Sequence, residues 1–191
     1  NGMMSGALLG FTAILLLARR DGAGVPLGIM IIKPHIAVLF GFYMLLTRRW
    51  QSIAIAAATA SLLCAMATVS LGIKIWPAFM NGVREASEFL VQGYYPLHRM
   101  ISVYAATRSA GASATLAMSA QIVTALAAIG MMIVAVRLRF PPRHMLGLAA
   151  LASLCLSPYA YDYDLPVYGI GIALLLPALL THATRTEAWV L

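Results

Sequence analysis

The run Ile31-Ile32-Lys33-Pro34-His35-Ile36, closed by Thr47-Arg48-Arg49-Trp50, decides how this chain is read. It sets a cation, a helix breaker and a titratable ring inside an otherwise apolar stretch. A lysine at the centre of a spanning helix costs roughly 2.5–3.5 kcal/mol on insertion scales, so such residues are paired, reach for the headgroups or serve a function. Pro34 lacks an amide hydrogen and disfavours helical geometry at Lys33, which predicts a helix end or kink there. One reading is a single kinked span whose Lys33 snorkels to the headgroups. The other is a hairpin of two short helices, Gly22 to Ile32 and His35 to Thr47, each too short for the roughly 30 Å of hydrocarbon and shielded by protein.

The flanking arginines choose between them. Arg19-Arg20 and Arg48-Arg49 bracket the segment, and basic clusters favour the cytoplasmic side. An even number of passes then separates them, which predicts the hairpin and puts Lys33-Pro34-His35 on the outer side.

Composition agrees with a membrane setting. Hydrophobic residues make up 62% and charged residues 10%, with a mean hydropathy of +0.88. A soluble domain is about half apolar and a quarter charged. The formal charge of +7 is dispersed as short basic clusters between apolar runs, which is the positive-inside pattern and not a nucleic-acid face. Cys64 and Cys155 stand alone in apolar runs and suggest neither disulfide nor metal site. No signal peptide precedes the first apolar run, and the opening Asn1-Gly2 suggests a piece of a longer protein, read as one membrane domain over residues 1–191.

Taken outward from the centre, Met3 to Ala18 is a span in which Gly2, Gly6 and Gly10 form a small-residue face for close helix packing. Ser52 to Leu71 is an Ala-rich span leading outward. Residues 72–112 form an extracytoplasmic loop. Within it Phe79, Val83, Ala86 and Leu90 recur at helical spacing between Pro77 and Gly93, predicting an amphipathic interfacial helix. A second short helix is expected around Arg99 to Ser109. Ala114 to Val136 returns inward to Arg137, Arg139 and Arg143. The hairpin device then recurs: Met145 to Leu156 breaks at Ser157-Pro158-Tyr159, and Leu165 to Leu180 runs back toward His182 and Arg185. The fold expected is an all-α polytopic membrane protein. It has about seven membrane-embedded helices, including short Pro-broken hairpins, with the N-terminus outside and the C-terminus inside. Arginines 19, 20, 48, 49, 137, 139, 143 and 185 fall inside, while Glu85, Glu88, Asp162 and Asp164 fall outside.

Chemistry therefore collects on the outer face: Lys33, His35, Arg84, His98, Arg99, Asp162, Tyr163 and Asp164. Cations at that depth suit a lipid-linked phosphate, whose tail stays in hydrocarbon. Carboxylates beside them suit sugar hydroxyls or a general base, and Asp162 is the candidate base. The competing reading makes Asp164 an N-cap of the last helix and His35 a structural residue.

These stretches, "IIKPHIAVLFGFYMLLTRRW", "RMISVYAATRSAG" and "LCLSPYAYDYDLPVYGI", resemble the C-terminal half of glycosyltransferase family 87, from Asn1 to about Leu180. The resemblance implies a GT-C fold and a bacterial inner-membrane enzyme that takes a polyprenyl-phosphate sugar. The sugar, of hexosyl or mannosyl type, goes to a lipid or glycan acceptor on the periplasmic or exterior face. Where that family commonly shows Lys-Pro-Gln, this chain carries His35. The family's base lies in an outer loop near the N-terminus of the protein. The implied role of this chain is thus donor and lipid binding, inactive alone and partnered by an N-terminal half of the same protein. No metal ligand set and no cofactor are assigned, divalent metal is left open, and no nucleic-acid partner is expected. Two rival classes stand beside this: a secondary transporter, since broken short helices in both halves mark a midplane site, and a non-catalytic membrane scaffold.

Overall fold

The computed structural model describes residues 2–182; Asn1 and residues 183–191, with the expectation for Arg185, lie outside the described residues. Nine α-helices occur among the described residues: α1 (Gly2–Leu17), α2 (Gly24–Ile29), α3 (Pro34–Leu46), α4 (Trp50–Leu71), α5 (Ile75–Gln92), α6 (Val103–Ser109), α7 (Ala114–Arg137), α8 (Pro142–Ser153) and α9 (Leu165–His182). Among the described residues only α4, α7 and the stretch Asp162–Thr181 are long and apolar enough to cross a membrane. Three candidate spans thus stand out, preceded by the shorter apolar helices Gly2–Leu17, Asp21–Ile32 and Pro34–Leu46, and length and composition alone do not confirm the expected count of about seven embedded helices.

The Lys33-Pro34 break produces a hairpin. Pro34 occupies the first turn of α3, where its missing N–H costs nothing, and α2 closes in a 3₁₀ turn at Met30–Ile32. Both arms return to one end of the bundle. There Ser52, at the start of α4, donates a 3.2 Å hydrogen bond to Asp21, which precedes α2. Glycines make this possible. A Cβ on Gly24 would meet the Ser52 carbonyl at 2.2 Å, and one on Gly28 would meet the Ala56 carbonyl at 2.6 Å. The 13-residue α3 rises roughly 20 Å against roughly 33 Å for the 22-residue α4. Lys33 is thus held well below the far end of α4.

The second hairpin, α8 and α9, repeats the device. Pro142 opens α8 three residues earlier than the sequence suggests, which brings Arg143 inside the helix. The Arg143 guanidinium donates to the carbonyl of Leu174 at 2.9 Å. Gly147 and Gly171 let the two helices close against Leu175 and Leu151. The glycine face of α1 packs as expected, with Gly2 against Tyr163, Gly6 against Pro166 and Gly10 against Ile170. The buried core, with Leu9, Met30, Phe40, Met132 and Leu146 at its centre, lies where α1, the first hairpin, α7 and α8 meet.

The amphipathic helix appears as α5, ended by Gly93 in left-handed geometry, and along its length only Leu90 is buried. The short helix expected around Arg99 to Ser109 splits in two: a 3₁₀ turn at Leu97–Arg99, then α6. Ser102 causes the split, because its hydroxyl accepts from the Ala105 N–H and so caps a new helix after an extended Ile101 link.

Candidate functional site

Two hairpin tips meet at one end of the bundle. Lys33, just past the 3₁₀ turn and just before Pro34, sends its ammonium to Asp164 Oδ1 at 2.5 Å. Asp164 is fully buried and Lys33 is 15% exposed, so the pair sits at the floor of the end face and not on its rim. The other Asp164 oxygen accepts from the Tyr161 N–H at 3.3 Å. Asp164 therefore does cap, but it caps the turn Asp162–Asp164 behind it and not the first amides of α9. The Lys33 ammonium also lies 4.3 Å from the centroid of the Tyr163 ring, a cation–π contact that disperses its charge further.

The second pair is open. Arg99 donates through Nε and Nη2 to both Asp162 oxygens at 3.0 and 3.1 Å, with side chains 52% and 43% exposed. The Asp162 carboxylate pushes the Arg99 guanidinium further above its usual value, chiefly through that hydrogen bond, so it stays charged. Asp162 also accepts from the Tyr163 N–H at 2.7 Å. A carboxylate so engaged is a poor proton acceptor until Arg99 lets go. Backbone holds the two partners in place: Met100 bridges Tyr161, and the Ile101 N–H donates to the Ala160 carbonyl at 2.9 Å.

Tyrosines line this end. Tyr161 and Tyr163 stack at 5.1 Å and 6°. Tyr95 meets Tyr159 edge to face, and the Tyr159 hydroxyl donates to the Ala86 carbonyl of α5 at 3.1 Å. The α5 helix is thereby tied to the loop that carries Asp162. Beside that loop lies an apolar groove of about 390 Å³, walled by Ile101, Leu151, Leu154, Leu165 and Tyr168 among others.

Of the residues singled out from sequence, Lys33 joins Tyr163 and Asp164, and Arg99 joins Asp162. His35 lies at the same end, its Nε2 buried and without a hydrogen-bond partner among the described residues. His98 is exposed beside Arg99 and contributes no hydrogen bond among the described residues. Among the described residues no group of three or more His, Cys, Asp or Glu side chains gathers as for a metal. Gln121 was not anticipated. It is 2% exposed, accepts from the Tyr104 N–H at 3.0 Å and donates to the Cys155 carbonyl at 2.7 Å, joining α6 and the end of α8 to α7. Its signal in the sequence is a lone amide within the apolar run Ala114 to Val136.

Neither the curated proteins nor the solved structures contain a match to this chain. The model of glycosyltransferase family 87 matches residues 1–158, which takes in Lys33, Arg99 and both flanks of the first hairpin and stops just short of Asp162. With most of its length matched and its apolar helices suited to a bilayer, the chain belongs to glycosyltransferase family 87, a family of membrane glycosyltransferases.

Proposed function

We propose that this chain forms the donor- and lipid-binding part of a glycosyltransferase that uses a polyprenyl-phosphate sugar. In this reading it moves a sugar of hexosyl or mannosyl type to a lipid or glycan acceptor on the outer face of a bacterial cytoplasmic membrane. The observation that carries the reading is two cations, Lys33 and Arg99, at one end of an otherwise apolar bundle, with an apolar groove beside the turn that carries their carboxylate partners. A lipid phosphate needs both: fixed positive charge for the head and an apolar wall for the tail. In the transfer, the acceptor hydroxyl attacks the anomeric carbon and gives its proton to a base. The bond from that carbon to the phosphate oxygen breaks, and its electron pair leaves on the phosphate. Arg99 retains Nη1 for that developing charge while Nε and Nη2 stay on Asp162. Lys33 spends one of its three N–H donors on Asp164. Because Asp162 is held by Arg99, the base of the reaction is assigned outside these residues, and Asp162 serves to orient Arg99.

A transfer assay tests the reading. Membranes carrying the full-length protein should label acceptor lipid or glycan from a polyprenyl-phosphate hexose and not directly from a nucleotide sugar when polyprenyl-phosphate sugar synthesis is blocked. Labelling from the nucleotide sugar under that block would contradict it.

A further inference from the structure

Five helix ends of this bundle close in the same way, and the residue that closes them changes from one end to the other. After α5 and after α6 the chain turns through a left-handed residue, with paired bonds running back to the last helical carbonyls, and that residue is glycine: Gly93 at φ 81° and Gly111 at φ 92°. The same paired bonds close α1, α3 and α7 at the opposite end. The Arg19 and Arg20 amides reach Leu16 and Leu15, those of Arg48 and Arg49 reach Leu45 and Met44, and those of Arg139 and Phe140 reach Val136 and Ala135. There the left-handed residue is arginine every time: Arg19 at φ 55°, Arg48 at φ 56° and Arg139 at φ 54°.

Glycine is the favoured residue in this geometry, and a side chain with a Cβ rarely enters it. Among the described residues these three arginines are the non-glycine positions with positive φ. The backbone thus takes this geometry at arginine in the three paired closures of one end and at glycine in the two of the other. All three side chains are exposed, and among the described residues no ion pair engages them. The three lie at one end of the bundle. The Asp21–Ser52 hydrogen bond joins the exits of α1 and α3, and α3 runs antiparallel to α8, whose start follows α7. Asp21 stands as the acidic residue amid Arg20, Arg49, Arg137 and Arg143 at the same end.

We propose that Arg19, Arg48 and Arg139 form a binding surface for anionic lipid headgroups, at the end of the bundle opposite Lys33. Each guanidinium leaves its helix at the level where the apolar run stops, which is the level of lipid phosphates. A planar fork of donors suits phosphate oxygens there. This surface is independent of the sugar-donor reading, and its ligand is membrane lipid and not substrate.

The test uses the full-length protein in a neutral maltoside detergent and follows its thermal unfolding. Added phosphatidylglycerol should raise the melting temperature by several degrees, whereas phosphatidylcholine and inorganic phosphate should not. The triple variant R19G/R48G/R139G should melt at or above the wild-type temperature without lipid and lose at least half of the phosphatidylglycerol shift. The triple R19Q/R48Q/R139Q variant, which keeps the Cβ, should lose the same shift. Retention of the full shift in either variant would overturn the proposal. An equal shift with inorganic phosphate would also overturn it, by assigning the guanidinia to a soluble anion.

Discussion

Lys33 and Asp164, 131 residues apart in sequence, form a close ion pair that joins the tips of two broken hairpins. Neither charge is tolerable alone at that depth. Removing one partner of a buried pair typically costs about 3–5 kcal/mol, because the other charge stays behind uncompensated. Lys33→Met should therefore unfold the protein in detergent at markedly lower temperature. Lys33→Met with Asp164→Leu should recover most of the loss. Additive losses in the double variant, read by thermal unfolding, would show that the pair does not hold the hairpins together.

Gln121 satisfies one buried donor and one half-buried acceptor of two other segments. Gln121→Leu keeps volume but orphans both. An unmet buried backbone group costs about 1–3 kcal/mol, so the expected destabilisation is on the order of 2 kcal/mol or more. Hydrogen exchange at the start of α6 should rise with it; an unchanged exchange rate at Tyr104 would contradict the assignment.

The seam between α2 and α4 depends on absent side chains. A methyl at Gly24 or Gly28 would run into backbone oxygen, which cannot step aside, whereas Gly41 and Gly130 face open space. Gly24→Ala and Gly28→Ala should each cost about 1–3 kcal/mol as the helices part. Gly41→Ala and Gly130→Ala should be neutral or slightly stabilising. Equal melting temperatures for the two sets would contradict the close packing.

The hairpin makes a topological prediction. Single cysteines at His35 and Arg48 should react with an impermeant maleimide from opposite sides of the membrane, and cysteines at Arg20 and Arg48 from the same side. Labelling of His35 and Arg48 from one side would restore the single kinked span.

The class and the main break were legible in the sequence because their causes are local. Proline at residue 34 disfavours helical geometry at Lys33 just before it, and arginine pairs mark the ends of apolar runs. The short helix expected from Arg99 to Ser109 split because Ser102 caps on its own account, a choice that depends on a hydroxyl rotamer. The number of spans was harder to read. Whether an apolar run of a dozen residues crosses, dips or packs depends on neighbours such as α4, and on glycines whose value lies in contacts far along the chain. The Lys33–Asp164 pair could be argued from charge compensation. The Arg99–Asp162 pairing could not, since either cation could have taken either carboxylate until the Met100–Tyr161 bridge set the register.

In the function proposed, the Lys33 and Arg99 end of the bundle holds a lipid-linked phosphate. Equilibrium binding of radiolabelled polyprenyl phosphate to the full-length protein in nanodiscs tests it most directly. Loss of one charge-assisted contact should cost about 1.5–3 kcal/mol, so Arg99→Ala should weaken binding roughly tenfold or more. Arg84→Ala, altering an exposed arginine on α5 outside the pairs, should leave it unchanged. Arg99→Ala binding with wild-type affinity would contradict the account.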